Sequence, residues 1–228
     1  MEPGKRDIWV VIAAYNEAQV IAAVVANVKS TGHSVVVVDD GSHDRTAEFA
    51  ADAGAVVIRH PINLGQGAAL QTGIEYALAQ GAEAVVTFDA DGQHQAADIA
   101  GLIAALATHD ADFALGSRFL GAAVNMPGSR RLLLKVAAWF TRATTGLSIT
   151  DSHNGLRAMT RRGASHIHLR QNRMAHASEI LDQIARSGLK YVETPVTIHY
   201  SAYSLAKGQT LFDALLIVLD LFARRLHR

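Results

Sequence analysis

The chain has 228 residues, room for one generous domain, since single domains usually run ~100–200 residues. Lys plus Arg and Asp plus Glu both number 21, so no net charge draws the protein to nucleic acid, and that class of partner is set aside. The absence of cysteine rules out disulfides, zinc-thiolate sites and thiol nucleophiles, and it fits a reducing compartment such as the cytoplasm.

Met1 to Asp7 is polar and leads straight into an apolar strand, without the basic and apolar regions of a signal peptide. Short β-branched runs then alternate with Ala-rich stretches of helical period. The pattern predicts strands at Ile8–Ala14, Val35–Asp39, Ala55–Arg59, Ala84–Asp89 and Phe113–Gly116. Between them it predicts helices at Glu17–Lys29, Asp44–Ala53, Ala68–Ala79 and Ala96–Ala107. Val35 to Val38 is apolar at every position, as expected where helices cover both faces of a parallel sheet.

After Gly116 the pattern loosens around Pro127, Gly128, Gly146 and the polar stretch Thr150 to Asn154. Helical signals resume near Ala177–Arg186, and a strand pair is expected around Lys190 to Tyr200. The longest apolar stretch, Ala214 to Ala223, is broken by Asp220 and falls short of the ~20 residues that cross a bilayer. Residues 210–228 read as a C-terminal amphipathic helix ending in Arg224, Arg225 and Arg228. Such a helix packs on the sheet, or lies in an anionic membrane interface or on a membrane subunit.

In an open parallel sheet, ligands sit beyond the carboxyl ends of the strands. Three polar clusters fall there: Ala14-Tyr15-Asn16-Glu17, Asp39-Asp40-Gly41-Ser42 and Asp89-Ala90-Asp91-Gly92-Gln93-His94. Asp89, Asp91 and Gln93 offer hard oxygen ligands suited to Mg²⁺ or Mn²⁺ on a diphosphate; the plainer alternative is turn chemistry with helix capping. Asn63-Leu64-Gly65-Gln66-Gly67 precedes a helix and either brings backbone N–H groups near a phosphate or is a simple connection. The paired arginines Arg130-Arg131 and Arg161-Arg162 suit solvated surface as well as phosphate contact. His94 and His153 read as polar loop residues, without metal-ligand spacing.

Together these motifs resemble the polyprenyl-phosphate branch of the family-2 glycosyltransferases, the group of dolichol-phosphate mannosyltransferase-like enzymes. The resemblance runs from Val10 to about Gln209, through Val11-Ile12-Ala13-Ala14-Tyr15-Asn16-Glu17, Val38 to Ser42, Asn63 to Gly67, Asp89 to His94 and Gly116-Ser117-Arg118-Phe119. It continues in Asp151-Ser152-His153-Asn154-Gly155-Leu156-Arg157 and Ser204-Leu205-Ala206-Lys207-Gly208. It implies an α/β GT-A nucleotide-diphospho-sugar transferase fold, a mostly parallel central sheet flanked by helices. Residues 1–116 would form the donor half and 117–209 the acceptor half of a single domain.

By the same resemblance, Ala14, Tyr15, Glu17, Asp40, Gln66 and Asp89 bind the nucleotide-sugar, while Asp89, Asp91 and Gln93 hold Mg²⁺ or Mn²⁺. Asp91, Arg118 and Asp151 are the implied catalytic residues, and Arg130, Arg157, Ser204 and Lys207 the implied contacts to acceptor and phosphate. The implied reaction is inverting transfer from a UDP- or GDP-linked sugar to a polyprenyl phosphate, at the inner face of the cell membrane. A lipid phosphate, already an anion, needs no strong general base; a sugar hydroxyl would need a carboxylate, Asp151 or Glu179. The sequence departs from the family at Ala13, where the family has Pro, at Gln66, where it has Lys, and at Gln95-Ala96, where it has Pro-Pro. The rival readings are a soluble transferase acting on a glycan hydroxyl, a sugar-phosphate nucleotidyltransferase, whose Gly-rich Arg/Lys signature Ala13-Ala14-Tyr15-Asn16 does not provide, and a non-catalytic subunit of a membrane complex.

Overall fold

The computed structural model describes residues 7–170, 175–201 and 203. Its strands are β1 (Ile8–Ala14), β2 (Ser34–Asp39), β3 (Val56–Arg59), β4 (Ala84–Asp89), β5 (Phe113–Val124), β6 (Arg157–Thr160) and β7 (Tyr191–His199). They form one sheet in the order β3-β2-β1-β4-β6-β5-β7. β3, β2, β1 and β4 run parallel, β6 is antiparallel to both β4 and β5, and β7 is parallel to β5. The helices are α1 (Ile21–Lys29), α2 (Thr46–Asp52), α3 (Gln66–Ala79), α4 (Asp98–Thr108), α5 (Gly128–Thr145), α6 (Arg161–Ser165) and α7 (Ala175–Ser187).

Successive strand side chains point to opposite faces, so the apolar runs feed two cores. On one face Val10, Ile12, Val35, Val37 and Val86 pack with Ile21 and Val25 of α1 and Ile99 and Leu102 of α4. On the other, Val11, Val36, Val38 and Val85 pack with Leu70 and Ile74 of α3 and Ile180 and Ile184 of α7. Each fully buried aliphatic side chain contributes roughly 1.5–3 kcal/mol. The strand order reverses at β1, which lies between β2 and β4, and such a switch point opens a crevice beyond the carboxyl ends.

Several expectations need correction. Helix α1 begins at Ile21, four residues after the predicted Glu17, because Val20 N and Ile21 N both bond to Glu17 O and close a turn first. The expected strand pair at Lys190 to Tyr200 is one strand, β7, lying along β5. That pairing carries β5 to Val124, past the predicted end at Gly116, across a register shift between Ser117 and Ala122. The loosened stretch holds α5, and the residues that read as breakers mark its ends: Pro127 is its N-cap and Gly146 its left-handed C-cap at φ 75°. No described helix is long and apolar enough to cross a membrane. Residues 210–228 lie outside the described residues.

Candidate active site

A cavity of about 820 Å³ opens at the switch point, lined by the ends of β1, β2 and β4 and by residues from the second half of the chain. The loop after β1 is stitched to the loop after β2: Asn16 N donates to Ser42 Oγ (2.8 Å), His43 N to Asn16 Oδ1 (2.9 Å) and Glu17 N to Thr46 Oγ1 (2.8 Å). Ala14, Tyr15 and Glu17 are thereby set along the cavity wall. Tyr203 donates to Glu17 Oε2 at 2.7 Å.

Asp40 also lines the cavity, yet both its oxygens are engaged. Oδ1 accepts from Leu64 N (2.9 Å) and faces His60 Nδ1 (2.8 Å), and Oδ2 accepts from Gly65 N (2.7 Å). The carboxylate therefore holds the loop 63–67 in place, with the start of α3 at the cavity. Gln66 turns in and lies 3.4 Å from Asp89 Oδ1.

At the end of β4, Asp89, Asp91 and Gln93 line the same cavity. His94 is buried, packs edge-on against Phe88, and sets Nε2 2.9 Å from Asp89 Oδ2. Burial alone would raise the Asp89 carboxyl, but the His94 hydrogen bond and charge, with His176 and Arg157 behind, hold it below the usual range. Asp91 goes the other way: burial and the neighbouring Asp89 charge push it up to about 6. Its Oδ1 accepts only a backbone hydrogen bond from Gln93, at 3.0 Å.

The second half supplies the positive charge. Arg118, Arg130 and Arg157 all line the cavity. Arg118 is buried and clamped: its Nε donates to Asp151 Oδ2 (2.6 Å), Nη1 to Tyr200 Oη (2.6 Å) and Nη2 to the His153 carbonyl (2.9 Å). A guanidinium has five N–H donors, so two remain for a ligand. Burial would lower Arg118, but Asp151 and Tyr200 outweigh it and keep it above its ordinary value. Arg157 is pushed down by burial to about 10, against the pull of Asp89 and Asp151, and stays charged at neutral pH. Arg130 sits with its guanidinium carbon 5.1 Å over the Tyr200 ring.

Asp151 itself does not line the cavity; it positions Arg118. Glu179, the other candidate base, accepts two bonds of 3.1 Å from Arg170 N and lies away from the cavity lining. Ser204 and Lys207 lie outside the described residues. Sequence reasoning passed over His60, His176 and Tyr200, and it read His94 and His153 as polar loop residues although both line the cavity. His94, next to Gln93, and His153, within the Asp151–Arg157 motif, carried a local signal, whereas the other three reach the site only through tertiary packing.

Among the described residues no three His, Cys, Asp or Glu side chains converge as a closed metal site. The set does fit a hard divalent cation shared with a substrate phosphate, which needs only one or two carboxylates from the protein. The observation supporting that fit is that Asp89, Asp91 and Gln93 line one cavity, with the Asp91 carboxylate held by a backbone hydrogen bond from Gln93.

A mostly parallel α/β sheet with acidic and basic walls meeting at its switch point fits the GT-A fold of nucleotide-diphospho-sugar transferases. The match to the model of glycosyl transferase family 2 spans residues 9–168, and the chain belongs to that family. It is 31% identical over 223 residues to the UDP-N-acetylglucosamine–dolichyl-phosphate N-acetylglucosaminyltransferase of Methanococcus voltae, covering 88% of this chain and 89% of that one. It is 30% identical over 235 residues to the polyprenol monophosphomannose synthase of Mycolicibacterium smegmatis, covering 96% and 88%. Among solved structures it is similar to glucosyl-3-phosphoglycerate synthase of Mycobacterium tuberculosis in complex with Mn²⁺ and UDP-glucose. That match has a TM-score of 0.71 at 20% identity, over 96% of this chain and 79% of that one.

Proposed function

We propose that this glycosyltransferase moves a sugar, with inversion, from a UDP- or GDP-linked donor to a polyprenyl phosphate. The observation that carries the reading is the meeting of Asp89, Asp91 and Gln93 with Arg118, Arg130 and Arg157 around one cavity. One wall suits a cation on the donor diphosphate, and the other suits a second phosphate. The names of the two relatives, both lipid-phosphate sugar transferases, support the same acceptor class.

Asp89, Asp91 and Gln93 would hold Mg²⁺ or Mn²⁺, which neutralises charge on the departing nucleoside diphosphate. Asp40 keeps the loop 63–67 in place beside the donor. The acceptor phosphate is an anion at neutral pH and attacks the anomeric carbon directly once aimed in line. Arg118 and Arg130 do the aiming, and Asp151, bonded to Arg118, fixes its orientation rather than removing a proton. The acceptor's lipid tail would keep the enzyme at the inner face of the cell membrane.

A panel of UDP- and GDP-sugars with Mn²⁺ and a short-chain polyprenyl phosphate, read by product mass, tests this. One donor is expected to give a polyprenyl-phosphate sugar. Product from a glycan hydroxyl and none from the lipid phosphate would overturn it.

A further inference from the structure

Helix α5 is apolar on two sides. At about 100° per residue, the buried Leu134, Ala137, Ala138 and Thr141 gather on one side and pack inward. Leu132, Val136 and Trp139 fall opposite them, and they stand 66%, 45% and 64% exposed. The outward side of a surface helix is ordinarily polar; an exposed apolar stripe marks an interaction surface.

The charges beside that stripe say what covers it. Arg131, Lys135 and Arg142 project along its edge and are exposed, and the helix contains no Asp or Glu. Residues 117–228 as a whole hold 16 Lys and Arg against 6 Asp and Glu. In the first turn of the same helix, Arg130 lines the cavity. An apolar band with a tryptophan, edged by cations whose stems can lie along it, matches the boundary of an anionic bilayer.

We infer that the outer face of α5 docks on an anionic lipid bilayer, seating Leu132, Val136 and Trp139 among the headgroups and placing the Arg130 end of the cavity at the membrane surface. The inference deepens the lipid-acceptor reading and rests on it only for the choice of a bilayer as occupant.

Trp139 reports on the face directly. On vesicles of equal phosphatidylglycerol and phosphatidylcholine, the full chain's emission should shift to the blue and become protected from aqueous quencher. The shift should be missing in Trp139→Phe, whose remaining tryptophan is Trp9. Leu132→Ser with Val136→Ser, and separately Arg131→Gln with Lys135→Gln, should each raise the lipid needed for half the shift roughly tenfold or more. These positions are exposed, and a thermal melt in the absence of lipid checks that each variant stays folded. An unchanged Trp139 emission on these vesicles overturns the inference, as do double variants that titrate like the parent. Protection of Trp139 that depends on protein concentration and not on lipid also overturns it, and assigns the face to a second copy. No sugar is transferred in the assay, so a protein that passes it yet never glycosylates polyprenyl phosphate leaves the surface standing and removes the acceptor reading.

Discussion

Asp91 lines the cavity together with Asp89, and burial with that neighbouring charge raises it to about 6. Removing one of two repelling half-buried charges relieves strain in the metal-free protein, while it deletes a proposed metal ligand. Asp91→Asn should therefore keep or slightly raise the thermal midpoint without metal, and lower Mn²⁺-supported turnover by roughly a hundredfold or more. Melting and initial-rate measurements on the same sample check both halves, and full turnover in the variant would remove Asp91 from the chemistry. A second titration runs through His153, which burial lowers from 6.5 to about 4 despite the opposing charge of Asp151. Because the folded state holds the proton more weakly, the unfolded chain takes it up first as pH falls. The stability present above pH 6.5 is then lost on the way down to about 4. Asp91 contributes the opposite slope, between 3.8 and about 6, so the comparison must be made against a variant that leaves it in place. Urea unfolding at pH 7 and pH 5 should show the parent losing on the order of 1 kcal/mol per pH unit more than His153→Gln. Equal losses would mean that His153 titrates freely in the folded protein.

Strand β7 does more than close the sheet edge. Glu193, partway along it, accepts at one oxygen from Thr150 N (2.8 Å), Thr150 Oγ1 (3.1 Å) and Asp151 N (3.2 Å). It thus fixes the loop whose Asp151 holds Arg118. Glu193→Ala strands these donors and should cost roughly 1–3 kcal/mol of stability. Glu193→Gln keeps an acceptor oxygen and should restore most of that stability and of the acceptor KM. Loss of activity in both variants with unchanged melts would point to a direct chemical role instead. This linkage was invisible in the sequence because Asp151, in the loop before β6, and Glu193, on β7, are 42 residues apart and meet only once the sheet has formed. The first half was legible, because Val35 to Val38 and its sister strands announce a sheet covered on both faces, and Asp39, Asp40, Asp89 and Asp91 stand at strand ends. The second half was not. β6 is four residues long, too short for a period, and α5 is apolar both inward and outward, so no single-stripe pattern stands out. His94 read as a polar loop residue because its burial against Phe88 and its bond to Asp89 exist only after the loop closes.

For the molecule as a whole, the balance of 21 basic and 21 acidic residues conceals a separation of charge. Residues 1–116 carry 5 basic and 15 acidic side chains, a formal −10, and residues 117–228 carry 16 and 6, a formal +10. A chain with no net charge is therefore strongly dipolar along its own sequence, and the two walls of the cavity inherit opposite signs from the two halves. The acidic half is the one that would hold a cation, and the basic half is the one that would meet an anionic acceptor in an anionic surface. Salt discriminates between attraction at a surface and binding inside the cavity. The screening length falls from about 10 Å at 0.1 M to about 3 Å at 1 M, which weakens exposed charges far more than buried ones. With acceptor presented in phosphatidylglycerol vesicles, the apparent acceptor KM should rise by roughly tenfold or more across that range, because several cations near the surface each contribute about 1 kcal/mol at low salt. With the same short-chain acceptor in a neutral detergent, KM should change only a few-fold, since Arg118 and Arg157 are buried. The rate at saturating acceptor should hold in both formats, because Arg118 keeps its bonds to Asp151 and Tyr200 whatever the ionic strength. Steady-state kinetics in the two formats checks the difference, and equal salt dependence in vesicle and detergent would place all of the attraction inside the cavity and none at the surface.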